Sequence, residues 1–233
     1  MKQYLTYKDN IEVKYSTDED YFCIDSPLSI DKHFSDTLDD IEHIKKYSIQ
    51  NDDIVDIHDV KIYKDSNNMD RVLIKTEYLD DYFPMISMKS NHGLYDKNEK
   101  SKMNNYFFSM SNRRIDELQQ IYDKIVDSYQ RFLDVTNYYF FDISSNNVMV
   151  KHSESFQYKL IDILSIKKPM FRELEINPYS ILFYHNFVKH KSYKEKAFFN
   201  FLMLNGNNEK HVEEYLLKIN QIKPKKLINR SKV

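Results

Sequence analysis

Within the stretch YYFFDISSNNVMVKHSESFQYKLIDIL, residues 138–164, three side chains carry oxygen at spacings that chemistry can use. Asp142 is followed five residues later by Asn147, and no other Asp in the chain has an Asn at that distance. A second acid, Asp162, closes the next apolar segment. A carboxylate that receives a proton, with an amide oxygen and a second carboxylate that hold Mg²⁺ or Mn²⁺ against phosphates, is the inventory of phosphoryl transfer. The bland alternative is a surface hairpin with an incidental Asn in its approach.

The local elements suit such a task. Val148-Met149-Val150 and Tyr158-Lys159-Leu160-Ile161 read as two strands around a polar turn, 152–157. Upstream, QYLTYK, IEVKYS and YFCIDS, parted by polar turns, predict a small antiparallel sheet over residues 3–26. Asp31 to Tyr47 reads as a helix with Phe34, Leu38, Ile41 and Ile44 on one face. Asp52-Asp53 breaks that pattern. Ile54 to Ile62 and Arg71 to Tyr78 follow as strands. The stretch 80–112 is polar and irregular and reads as a linker or insertion. The strongest helix is Arg113 to Asp134, with one stripe of Ile115, Leu118, Ile121, Tyr122, Ile125, Tyr129, Phe132 and Leu133. Helices are also predicted over 178–189, 194–204 and 209–219, before a basic, loose tail from Lys223. Strands first and helices after predict an α+β protein in two lobes, 1–79 and 80–233.

Composition bounds the function. The 233 residues suffice for one large domain or two small lobes, and the net charge of −2, with mixed signs, lacks the basic stripe of a nucleic-acid binder. The single Cys, Cys23, excludes an intramolecular disulfide and suits a reducing, cytoplasmic setting. No run approaches the length of a membrane span. The eight His make no ligand set for zinc, and no G-x-S-x-G marks a hydrolase. Two Gly and no Trp, against many Asn, Lys, Ile, Asp and Tyr, fit an AT-rich genome such as that of a virus, a phage or a host-restricted bacterium.

Taken together, these segments resemble the protein-kinase-like superfamily over residues 3 to about 190. The stretch 138–164 is similar to the kinase catalytic loop H-R-D-x-x-x-x-N, its hairpin and the metal-binding D-F-G. EHIKKYSIQNDDIVDIHDV, 42–60, resembles the segment that ends the regulatory helix and enters the fourth strand. LIKTEYLDD, 73–81, resembles the fifth strand and the hinge, and NPYSILFYH, 177–185, resembles the start of a later helix. The resemblance implies ATP and Mg²⁺ or Mn²⁺ as cofactors. It implies Asp142 as the catalytic acid–base group and Asn147 and Asp162 as metal ligands. Glu42 becomes the partner of a phosphate-binding lysine, and Glu77 and Leu79 become the hinge backbone that reads the base.

The departures matter as much. There is no Gly-rich loop; TYKDN, 6–10, stands in its place. YFCIDS lacks the expected lysine, so Lys14 on the preceding strand is the nearest substitute, or else a solvated lysine. Phe140 and Phe141 replace His and Arg, Ser144 replaces the loop lysine, and Asp162 is followed by Ile-Leu. Lys151, Lys167, Lys168 and Arg172 surround the loop exits, either neutralising phosphate or forming a solvated face. Small effector kinases of bacteria and sugar or lipopolysaccharide kinases show similar stripping. Two readings follow: a minimal kinase acting on a protein or small-molecule hydroxyl, and a pseudokinase that binds a partner protein. A helical interaction protein unrelated to kinases is a third.

Overall fold

Alternation and turn chemistry build the first sheet. The computed structural model describes residues 2–5, 12–16, 21–28, 37–80, 82–84, 108–141, 147–151, 156–169, 209–219, 221–223, 225 and 227. Strands β1 (Lys2–Leu5), β2 (Glu12–Ser16) and β3 (Tyr21–Pro27) pair antiparallel in sequence order. Strands β4 (Ile57–Lys64) and β5 (Asp70–Glu77) complete the sheet in the order β1-β2-β3-β5-β4. The β4–β5 hairpin turns on Asp65, whose carboxylate accepts the N–H groups of Asn67 at 2.8 Å and Met69 at 3.0 Å. Asn68 takes the left-handed conformation there, φ 60°, which Asn tolerates better than most residues.

One face of this sheet carries Val72 and Ile74, both buried. The opposite face holds a charged network instead. Arg71 donates from Nε to Asp25 Oδ1 at 2.8 Å, and Tyr63 donates its hydroxyl to Asp25 Oδ2 at 2.6 Å. These three residues sit on β5, β3 and β4, so the network holds three strands in register.

Helix α1 (Ile41–Ile49) follows a 3₁₀ turn at Leu38–Asp40 and buries Ile44, Tyr47 and Ser48. Ser48 ties the helix to the sheet by accepting the Ile57 N–H at 3.0 Å. The long helix α2 (Ile115–Thr136) buries the predicted stripe from Leu118 onward, while Ile115 at its start is exposed. It stops at Asn137, whose left-handed φ of 58° lets its N–H return to the Leu133 carbonyl at 2.9 Å. Phe140, just past this stop, packs on Phe132 and Tyr129 with ring centroids 4.9 and 5.3 Å apart.

Three short strands, β6 (Tyr82–Pro84), β8 (Val148–Lys151) and β9 (Gln157–Leu160), form a second sheet in the order β6-β8-β9. Strand β7 (Tyr139–Phe140) pairs antiparallel with β10 (Ile166–Lys167). Helix α3 (Glu209–Ile219) packs on α2 through Tyr215 and Ile219, both buried. The molecule is thus α+β. No described helix is long and apolar enough to cross a membrane.

The stretch 80–112 is less irregular than expected, since it contains β6 and helical backbone at 108–112. The tail is a clearer correction. Leu227 is buried, and Lys225 pairs with Asp127 at 2.6 Å. Gln119 of α2 closes a ring with the backbone of Lys223, donating to its carbonyl at 3.1 Å and accepting its N–H at 2.8 Å. The helices predicted over 178–189 and 194–204 lie outside the described residues.

Candidate functional site

The β8–β9 hairpin places two of the predicted groups side by side. Val148 pairs with Leu160, and one step outward the Ile161 N–H reaches the Asn147 carbonyl at 3.0 Å. The side chains beyond these positions then meet: Asn147 Nδ2 donates to Asp162 Oδ2 at 3.0 Å. Asp162 is held in turn by the 3₁₀ turn that it opens, where Ser165 donates both its N–H and its hydroxyl to the Asp162 carbonyl, at 3.0 and 2.8 Å. The same turn receives the chain from β7, because the Phe141 N–H donates to the Ser165 carbonyl at 2.9 Å. The next residue, Asp142, lies outside the described residues.

An amide and a carboxylate at this separation offer hard oxygen donors. Mg²⁺ is commonly held by one or two such groups while it keeps waters and shares phosphate oxygens. Asn147 and Asp162 carry oxygens of that type, with the amide nitrogen as the atom turned to the carboxylate. Among the described residues, no three of His, Cys, Asp and Glu gather into a complete ligand set.

The structure also holds a hollow of about 150 Å³. Phe22 and Ile24 of β3 line it together with Met149 and Ile161. Val55, Thr76, Glu77, Tyr78 and Leu79 complete it. The register explains the wall: Phe22 and Ile24 are two positions apart, on one face of the sheet, and Phe22 pairs with Thr76. The lining is mostly apolar. Thr76 to Leu79, where β5 ends, bring polar groups to it. Asp80 donates its N–H to the Tyr78 carbonyl and Tyr82 donates to the Leu79 carbonyl, while the Leu79 N–H has no partner among the described residues. Ile161, a wall of the hollow, immediately precedes Asp162. The hollow and the oxygen pair are therefore one residue apart along the chain, with neither Asn147 nor Asp162 in the lining.

Glu77 and Leu79 line the hollow. The Glu77 carboxylate has a task of its own. It accepts from the Lys159 ammonium at 2.6 Å and from the Asp56 N–H at 2.9 Å. Lys159 is only 9% exposed, and it also donates to the Ile54 carbonyl at 3.2 Å. The Asp56 carboxylate, 3.9 Å from this ammonium, titrates above the usual range because it is partly buried and faces Glu77. Sequence reasoning passed over Lys159. The signal was present, as a lone charge inside the apolar run Tyr158 to Ile161.

Other expectations need correcting. Glu42 is turned to solvent, its side chain 82% exposed, and it pairs with Lys45 one turn along at 3.1 Å. Position 14 stands opposite Cys23, which stands opposite Lys75. Paired positions share a sheet face, so residue 14 falls on the face opposite to that of Phe22 and Ile24. A one-residue difference in register decides the face. Lys167 is no solvated charge either; it is 4% exposed, with its ammonium 3.8 Å from the Phe141 ring centre. Lys168 is exposed, Lys151 is half-buried, and Arg172 lies outside the described residues.

No family model matches the chain. No curated protein matches it in sequence. Among solved structures, a chain described as "WaaP in complex with acyl carrier protein" is similar at a TM-score of 0.39 and 10% identity, over 95% of this chain and 79% of that one.

Proposed function

We propose that the protein is a minimal, kinase-like phosphotransferase that binds ATP with Mg²⁺ or Mn²⁺. The observation that carries this reading is the junction at Ile161–Asp162. There a hollow lined by the end of β5 stands one residue along the chain from a carboxylate held 3.0 Å from an amide. In this reading the β-sheet with α1 and the hairpin with α2 and α3 form two lobes, and the hollow lies between them.

The base enters the hollow, against Phe22, Ile24, Met149 and Ile161. The Leu79 N–H donates to a ring nitrogen of the base. Asn147 and Asp162 would hold the divalent ion, which neutralises phosphate charge when bound. Asp142 orients the acceptor hydroxyl and takes its proton. The turn Asp162–Ser165 anchors the backbone that enters residue 142, which is what a positioned base requires.

One observation favours the second reading, a binding module without transfer. No Lys or Arg lines the hollow among the described residues, and the register sets position 14 on the other face of the sheet. The two readings separate in one pair of experiments. A kinase shows a thermal shift with ATP and Mg²⁺, about 2.7 kcal/mol of stabilisation at a hundredfold excess over Kd. It also transfers labelled phosphate, and Asp162→Ala removes that transfer. A shift without transfer supports the module. Transfer that survives Asp162→Ala refutes the metal role, and the absence of any shift with ATP and either metal refutes the nucleotide site.

A further inference from the structure

We propose that Lys159 is a positioning residue for this site: its buried ammonium fixes the backbone edge at Glu77–Leu79 relative to the strand that delivers Asp162. The inference rests on the nucleotide site proposed above and adds to it the element that sets its span.

Lys159 lies on β9, three residues before Asp162, and β9 runs directly into that carboxylate. Its ammonium crosses to Glu77, the last residue of β5 and itself a wall of the hollow. Glu77 cannot swing with it. Its carboxylate also accepts the Asp56 N–H at 2.9 Å, and its own N–H donates to the Asp56 carbonyl at 3.0 Å. The ammonium is tied further to the Ile54 carbonyl at 3.2 Å. Three segments thus meet on one charge: the chain leaving α1, the end of β5, and β9.

Stability alone gives little reason for this arrangement. A buried ion pair is often no better than apolar residues of the same volume, and its best-attested use is to specify registry. Here the registered parts are the two ends of the proposed ligand, base edge and metal carboxylate. A triphosphate with its ion spans both ends, whereas adenosine touches only the hollow.

The test is calorimetric affinity for adenosine and for ATP with Mg²⁺, in wild type, Lys159→Met, Lys159→Gln and Lys159→Arg. In Lys159→Met, ATP with Mg²⁺ is expected to bind about tenfold more weakly, while adenosine, which touches only the hollow, stays within about twofold. Lys159→Arg, which keeps a cation opposite the Glu77 carboxylate, is expected to recover part of the loss. A loss of equal size for both ligands, or none for either, overturns the inference. If Lys159→Met does not fold, Lys159→Gln decides by the same comparison. A wild type that binds neither ligand overturns the nucleotide site and this inference together; a wild type that binds both, beside unaffected variants, overturns the inference alone.

Discussion

Thr76 tests the hollow at the level of one side chain. It is 3% exposed and stands at the end of β5, between Phe22 and Glu77. Thr76→Phe should fill the space a base would take. The thermal shift with ATP is expected to disappear, while overpacking costs about 1–3 kcal/mol; a variant that keeps the full shift would show that nucleotide binds elsewhere. Two tyrosines make a prediction about pH. Burial first, then the nearby Asp53 carboxylate, pushes Tyr47 up to about 12. Tyr158 is also pushed to about 12, mainly by burial. Both phenols are more acidic in the unfolded chain, near the ordinary value of about 10. Their contribution is therefore complete below that value and is lost as pH rises from there toward 12. Phenolate absorbance against pH should show a late fraction that rises together with loss of native circular dichroism. If all phenols ionise with the native fold intact, the burial argument fails. At this scale the oxygen pair was legible, because Asn147 and Asp162 flank two short apolar runs parted by a polar turn. Glu42 and Lys14 were not. Their side of the helix and of the sheet depends on a single step of register, which charge and spacing leave open.

Among the elements, α2 was legible because its apolar stripe repeats at helical spacing over many turns, and the β8–β9 hairpin because two apolar runs flank a polar turn. The tail was misread. Its basic composition hides one apolar anchor, Leu227, and the bonds of Lys223 and Lys225 to Gln119 and Asp127 of α2, about a hundred residues away. Nothing local distinguishes such a segment from a solvated one. Its attachment predicts a measurable cost. Leu227 is 3% exposed, so Leu227→Ala should destabilise the fold by about 2–4 kcal/mol through lost burial and an unfilled space. Chemical denaturation of the variant checks this, and a change within a few tenths of a kcal/mol would return the tail to the surface. Lys225→Ala supplies the contrast. Its pair with Asp127 is roughly half exposed and should contribute less than about 1 kcal/mol.

For the molecule as a whole, the question is how the first sheet and the hairpin sheet are joined. The strands-then-helices order made an α+β architecture legible, but the joint was not, because it runs through Asp53, read as a break after α1, and through Ile54 and Val55, read as the start of a strand of the first sheet. The Val55 N–H donates to the Leu160 carbonyl at 3.0 Å, and the Leu160 N–H donates to the Asp53 carbonyl at 2.9 Å. Ile54 thereby forms a parallel bridge with Leu160, two residues before Asp162. Ile54 and Leu160 are 1% and 0% exposed, within one core that also takes in Ile74, Phe132 and Val148. A backbone seam inside a shared core should make the two sheets unfold together, since opening one side strands buried polar groups on the other. In native-state hydrogen exchange, the amides of Val55 and Leu160 are then expected to exchange only with global unfolding, at the same free energy as the central β5 amide of Ile74. Denaturant should shift all three in parallel. A hairpin amide that exchanges several kcal/mol more easily than Ile74 would separate the sheets into two cooperative units. It would also leave any ligand bound between them dependent on the seam closing first, which would appear as stronger protection of Leu160 when ATP and Mg²⁺ are added.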